Sequence, residues 1–197
     1  MDTNIVVPIV IGVAVLIVII ALLIIRKRKS DQLKQHFGPE YDRVVQQHGG
    51  PRRAEAILAE REKRVEKFSL RPLPPGEWER YLEEWASVQK RFVDDPSLAV
   101  TEADALVTRV MAARGYPMGD FEQRAADISV NHPGVVQNYR SAREIVVRHV
   151  KRQSTTEDLR QAMVYYRSLF DELLATTNPQ TTTTNPQTIG VIHERAS

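Results

Sequence analysis

STTEDLRQAMVYYRSLFDELL, residues 154–174, carries the pattern that decides the fold. Leu159, Ala162, Met163, Tyr166, Leu169, Phe170 and Leu173 recur every three or four positions. That spacing draws one apolar stripe down one face of a helix. Ser154 with Glu157, or Thr155 with Asp158, supplies an N-cap whose acidic partner also suits the positive helix end. Working back along the chain, the same period returns and strand-like alternation does not. A helix is expected from Pro75 to about Phe92, with Trp78, Tyr81, Leu82, Trp85, Val88 and Phe92 on its stripe. Pro96 can open the next, Ser97 to Arg114, with Ala103, Leu106, Val107, Val110 and Met111, and Gly115 ends it. A short helix from about Asp120 follows, carrying Phe121, Ala125 and Ile128. The turn Asn131–His132–Pro133–Gly134 then leads into a helix with two adjacent stripes, which suggests a central position. The fold class expected is all-α, with a helical bundle of about six or seven helices.

Nearer the N-terminus, 31–48 and 51–68 read as two helices divided by Gly49–Gly50, and Gly38–Pro39 interrupts the first. The second is thinly apolar and laced with charge. The pair is expected to form a charged hairpin or stalk over 31–70, outside a globular domain of 71–174. The tail differs in kind: TTNPQTT at 176–182 is followed by TTNPQTI at 183–189. Thr, Asn, Pro and Gln build no core, so 175–197 is expected to be disordered.

Residues 5–25, IVVPIVIGVAVLIVIIALLII, contain no charged side chain. A helix of that length spans about 30 Å, the thickness of a bilayer core. Ile5 to Ile25 is therefore expected to be a transmembrane helix. A cleaved signal peptide fits less well, because no basic residue precedes the run and Arg26, Lys27, Arg28 and Lys29 follow it in place of a small-residue cleavage site. Those four cations at 26–30 are the topology determinants. They favour an N-terminus (1–4) outside and the rest of the chain in the cytoplasm. The span holds no ionisable group, so it reads as an anchor rather than a transport path.

The 197 residues hold 27 Lys and Arg against 25 Asp and Glu, and no cysteine. Disulfide scaffolds and thiolate chemistry are thereby excluded. From Ser30 onward 23 basic residues face 24 acidic ones, so the excess that nucleic-acid binding requires is missing. The aromatic residues Trp78, Tyr81 and Trp85 alternate with Glu77, Glu79, Glu83 and Glu84, which would repel phosphates.

The histidines form no metal-binding motif, and no cofactor pattern, metal cage or nucleophile–base set emerges. Asp127 and His132 suggest an acid–base pair, but a helix junction accounts for them more simply. Gly49–Gly50–Pro51–Arg52–Arg53 reads as a turn into a helix rather than a phosphate nest. Arg71–Pro72–Leu73–Pro74–Pro75 reads as a stiff spacer rather than a groove ligand.

FGPEYDRVV (37–45), RPLPPGEWERY (71–81), RFVDDP (91–96), GYPMGDFEQRAADISVNHPGVVQNYR (115–140) and TTEDLRQAMVYYRSLFDELL (155–174) occur together. In these strings the chain resembles a family of uncharacterised bacterial single-span membrane (or "secreted") hypothetical proteins with a C-terminal helical domain. The resemblance covers about 31–174 and implies a bacterial origin, a place in the inner membrane and a discrete helical module. It implies no activity and transfers no functional residue. The expectation from all of this is a non-enzymatic adaptor, with the lipid bilayer and another protein as partners. The alternatives are a small-ligand or lipid-binding domain, with or without enzymatic activity, whose pocket is lined by His132, Tyr139, Arg140 and Tyr166, or the same module facing the envelope.

Overall fold

The computed structural model describes residues 3–175, leaving the side chains of 3–11, 13, 15 and 75 outside the description. Among the described residues the fold is all-α. The helices are α1 (Thr3–Phe37), α2 (Pro39–His48), α3 (Pro51–Val65), α4 (Pro75–Asp94), α5 (Pro96–Ala113), α6 (Phe121–Asn131), α7 (Pro133–Val150) and α8 (Thr156–Ala175). Five of the seven later helices start with proline, whose fixed φ and missing N–H suit the first helical position. Between α1 and α2, Gly38 adopts φ 50°, and the Schellman-like end of α2 places Gly49 at φ 75°. The tail expected to be disordered lies outside the described residues, apart from Ala175.

The chain forms two compact units. One comprises residues up to Phe68 together with Pro117–Ser141, and the other Ser69–Tyr116 with Ala142 onward. This corrects the expected division into a stalk at 31–70 and a globular domain at 71–174. Residues 31–68 build a core with α6 and the start of α7. Leu33, Phe37, Val44, Ala54, Leu58, Ala125, Ile128 and Tyr139 are all buried there. The stalk reading failed because the charges that made α2 and α3 look solvated are partly buried and paired.

The second unit is built by α4 and α8 packing on α5. All seven stripe residues of α8 are buried, as are the five expected on α5. On α4 the buried line is Tyr81, Trp85 and Val88, while Trp78, Leu82 and Phe92 are half-buried. The doubled stripe expected on α7 narrows to Val136, Tyr139, Ala142 and Ile145, with Val147 exposed. The Pro-rich segment is an extended strap: Arg71 donates its backbone N–H to Arg114 O (3.0 Å) and its Nε to Ala113 O (3.0 Å). Gly115 turns beneath it at φ 93°, where a Cβ would come within 2.5 Å of the Ser69 carbonyl oxygen.

At the start of α8 the Thr155–Asp158 alternative forms the cap. Asp158 accepts from Thr155 N–H (2.7 Å) and Thr155 Oγ1 (2.8 Å), and Thr155 Oγ1 accepts from Asp158 N–H (3.2 Å). The Thr155 backbone N–H, and then its hydroxyl, lower the Asp158 pKa from its ordinary value. A carboxyl whose folded pKa is depressed stabilises above its unfolded pKa and loses that contribution as pH falls through the folded one. Asp158→Ala is therefore expected to lower the unfolding midpoint at neutral pH. The gap to the parent should close in strong acid, as denaturation at several pH values would show.

α1 is continuous from the apolar run through Arg26–Lys29 to Phe37. Among the described residues no helix is long and apolar enough to cross a membrane. About half of the span expected at Ile5 to Ile25 falls on residues whose side chains lie outside the description. The part that is described, from Leu16 to Ile25, presents every large apolar side chain to the outside, from 47% exposed at Ile19 to 62% at Ile25.

Candidate functional site

In the first unit, charged residues occupy stripe positions that apolar residues would ordinarily fill. On α2 Glu40 precedes buried Val44 by four residues, and on α3 Arg61 follows Leu58 by three. Arg140 lies beside Tyr139. The Glu40 carboxylate is 1% exposed and receives Arg61 Nη1 at 2.8 Å, Arg140 Nη2 at 3.1 Å and Arg140 Nε at 3.3 Å. Arg43 stands 3.7 Å from it. Arg140 Nη1 also reaches Glu122 at 2.6 Å, and Arg61 Nη1 reaches Ser129 Oγ at 3.4 Å.

A second knot joins α3 to α6, where Asp127 Oδ1 accepts from Arg64 Nε (2.9 Å), Arg64 Nη2 (2.6 Å) and Gln123 (2.9 Å). Beside these knots lies a cleft of about 380 Å³ whose lining includes Arg43, Arg61, Arg64, Glu122 and Gln123. Each of those guanidiniums already faces a carboxylate, Arg43 facing both Glu40 and Glu122 (3.5 Å). Four arginines share three carboxylates, Glu40, Glu122 and Asp127, and the arrangement ties four helices together. Its chemistry is that of a clamp.

The four residues expected to line a pocket are all buried, and they divide between the units. His132 caps α6, its backbone N–H bonding Ile128 O at 2.8 Å. Tyr139 accepts from Arg124 Nε at 3.3 Å and packs against Phe121, with ring centroids 4.9 Å apart. Arg140 belongs to the Glu40 cluster, and Tyr166 lies in the core of the second unit. None of the four lines a described cleft.

The second unit carries a groove between α4 and α8 of about 280 Å³, lined by Trp85, Gln89, Phe92, Arg160, Met163, Val164 and Arg167. Its floor is apolar. Trp85 stacks on Phe170 with centroids 4.8 Å apart, and Arg167 lies over the Trp85 ring at 5.4 Å. The Trp85 indole N–H has no acceptor among the described residues. At the rim, Arg160 pairs with Glu157 (2.6 Å) and Arg167 with Asp171 (2.7 Å). Val164, half exposed, is the apolar residue of α8 that its own stripe leaves outside.

One arrangement had no sequence signal at all. Ser97 Oγ lies 2.7 Å from His149 Nε2, and His149 Nδ1 lies 2.8 Å from Ser154 Oγ. A hydroxyl stands where a nucleophile–base pair would need a carboxylate to orient and polarise the imidazole. The chain of three ties the start of α5 to the end of α7. Among the described residues no group of His, Asp and Glu is arranged to hold a metal ion.

These features define an all-α protein with one clamped and one grooved helical unit. No family model matches the chain, and neither does any curated protein or solved structure.

Proposed function

We propose that the protein is a membrane-anchored helical adaptor that binds a segment of another protein along the α4–α8 groove. The groove is the observation that carries this reading. Phe92 and Val164 offer apolar surface above Trp85 and Met163, and Arg160 and Arg167, paired with Glu157 and Asp171 of the same helix, form a charged rim. Such a surface suits a partner helix or extended segment that presents apolar side chains to the floor and polar ones to the rim. No step of bond chemistry enters this reading.

The anchor is the apolar run of 5–25, within α1. A helix that is apolar on every side needs either a protein core or a bilayer around it. The exposure of Leu16 to Ile25 supports the bilayer. Arg26–Lys29 support a bacterial inner-membrane protein with its N-terminus outside and both helical units in the cytoplasm. The family resemblance points the same way.

A photo-crosslinking residue at Val164 of the full-length chain, expressed in cells, tests the groove. A discrete protein adduct is expected there and lost on Phe92→Arg. The same residue at Val93, 83% exposed on α4, should give none. Indistinguishable adducts at the two positions, or none at Val164, would overturn the reading.

A further inference from the structure

We infer that Arg52 and Arg53, at the start of α3, join Arg26–Lys29 in one surface that binds the headgroups of anionic phospholipids. The inference rests on the membrane-anchored reading above. Its basis is the register between α1 and α3, two helices of the same unit that pack together. Ser30 Oγ donates to Glu55 Oε1 at 2.5 Å, so those two residues stand side by side. Further along, Arg61 of α3 meets Glu40, just past the end of α1. The two helices therefore run the same way, and residues preceding Glu55 lie level with residues preceding Ser30.

At ~1.5 Å rise per residue, Arg52 and Arg53 are roughly 3–5 Å below Glu55 along α3, and Arg26–Lys29 are roughly 1.5–6 Å below Ser30 along α1. Both groups sit at the level where the apolar run ends. All six side chains are exposed.

The acids near this level do not cancel them. Asp31 is one residue further from the apolar run than Ser30. Glu55 is half-buried and engaged by Ser30 and by Tyr41 Oη at 3.1 Å. Burial, and then the Glu55 carboxylate as acceptor and charge, raise the Tyr41 pKa, so this phenol stays a neutral donor to Glu55.

Six cations in one plane, bordering an apolar helix, match a layer of phosphate headgroups. Arg52 and Arg53 add what a stop-transfer segment alone lacks, a second point of attachment displaced sideways from the span. Two points fix how the first unit is held against the bilayer.

The chain has no native cysteine, so Gln46→Cys, exposed in the last turns of α2, takes one environment-sensitive dye. The full-length labelled chain is reconstituted into phosphatidylcholine vesicles with or without about 30 mol% phosphatidylglycerol, which gives the surface a negative potential. Resistance to alkaline carbonate reads insertion, and acrylamide quenching of the dye reads docking. Insertion into both vesicles is expected, with the dye protected only where phosphatidylglycerol is present and exposed again at high salt.

Arg52→Ala with Arg53→Ala should lower the docked-to-free ratio by roughly thirtyfold, given the attraction of each cation to such a surface. Arg52→Lys with Arg53→Lys should retain docking. Inserted chains with equal quenching in both vesicles, or equal quenching in the double alanine variant, would overturn this inference while leaving the anchor intact. Protection abolished by inorganic phosphate at constant ionic strength would make free phosphate the ligand and overturn it as well. Failure to insert into either vesicle would overturn the anchor, and this inference with it.

Discussion

Glu40→Ala is expected to destabilise the first unit by about 3–5 kcal/mol, the range found when one member of a buried ion pair is removed. The carboxylate is 1% exposed and is shared by two guanidiniums that are themselves buried, Arg61 and Arg140. Truncation leaves both arginines desolvated, with Arg140 keeping only its bond to Glu122 and Arg61 its long contact to Ser129. Arg43, more exposed, can turn to solvent. Amide exchange of α3 is the suitable measurement, because Ala54, Leu58 and Val65 pack in the same interior. The triple variant Glu40→Met, Arg61→Leu, Arg140→Met removes all three charges together and should recover most of the loss. Equal destabilisation by the single and triple variants would show that the side-chain shapes, and not the charges, matter at this site.

Trp85→Ala is expected to cost a similar amount, about 3–5 kcal/mol, but in the second unit. Trp85 is 1% exposed, stacks on Phe170 and carries the Arg167 guanidinium over its ring. Deleting the indole removes the largest buried side chain of α4 and empties the base of the groove. Both tryptophans of the chain, Trp78 and Trp85, lie on α4. Trp78 fluorescence therefore remains in the variant to report unfolding of this unit. Val164→Ala, on the open lip of the groove, should lose far less, since its side chain is half exposed. Comparable losses at Trp85 and Val164 would contradict the packing described.

The contrast between those two sites explains what could be read from the sequence. The second unit is held by apolar burial, which leaves a periodic trace. Leu159 to Leu173 on α8 and Ala103 to Met111 on α5 are buried as their spacing suggests. Local cues such as Thr155–Asp158 at the cap and Gly115 at a helix end also carry their geometry within a few residues. The first unit is held in part by charges, and charges on a helix ordinarily mean a solvated face. Arg61 sits on the stripe Ala54, Leu58, Arg61, Val65 of α3, and Glu40 on the face of α2 that buries Tyr41 and Val44. A charge at an apolar stripe position, on each of two neighbouring helices and of opposite sign, was the available signal for a buried pair.

The remaining features depend on separations no local pattern reaches. Glu40 and Arg140 are 100 residues apart, and Ser97 and His149 are 52 apart. The tyrosines grouped with His132 and Arg140 illustrate the converse. All are buried, but a buried polar side chain in a sequence does not reveal which core it enters, and Tyr166 belongs to a different unit from the rest.

The central claim, a helical protein held to the membrane by residues 5–25 with its folded units in the cytoplasm, is tested most directly by thiol labelling of a single Ser197→Cys variant. With no other cysteine in the chain, every label reports that position. Membranes from intact spheroplasts treated with a membrane-impermeant reagent are washed in alkaline carbonate before the label is read. The chain should stay with the membranes and should be labelled only when the spheroplasts are lysed first. Label acquired on intact spheroplasts would put the helical units outside the cell, and a chain released by carbonate would contradict the anchor itself.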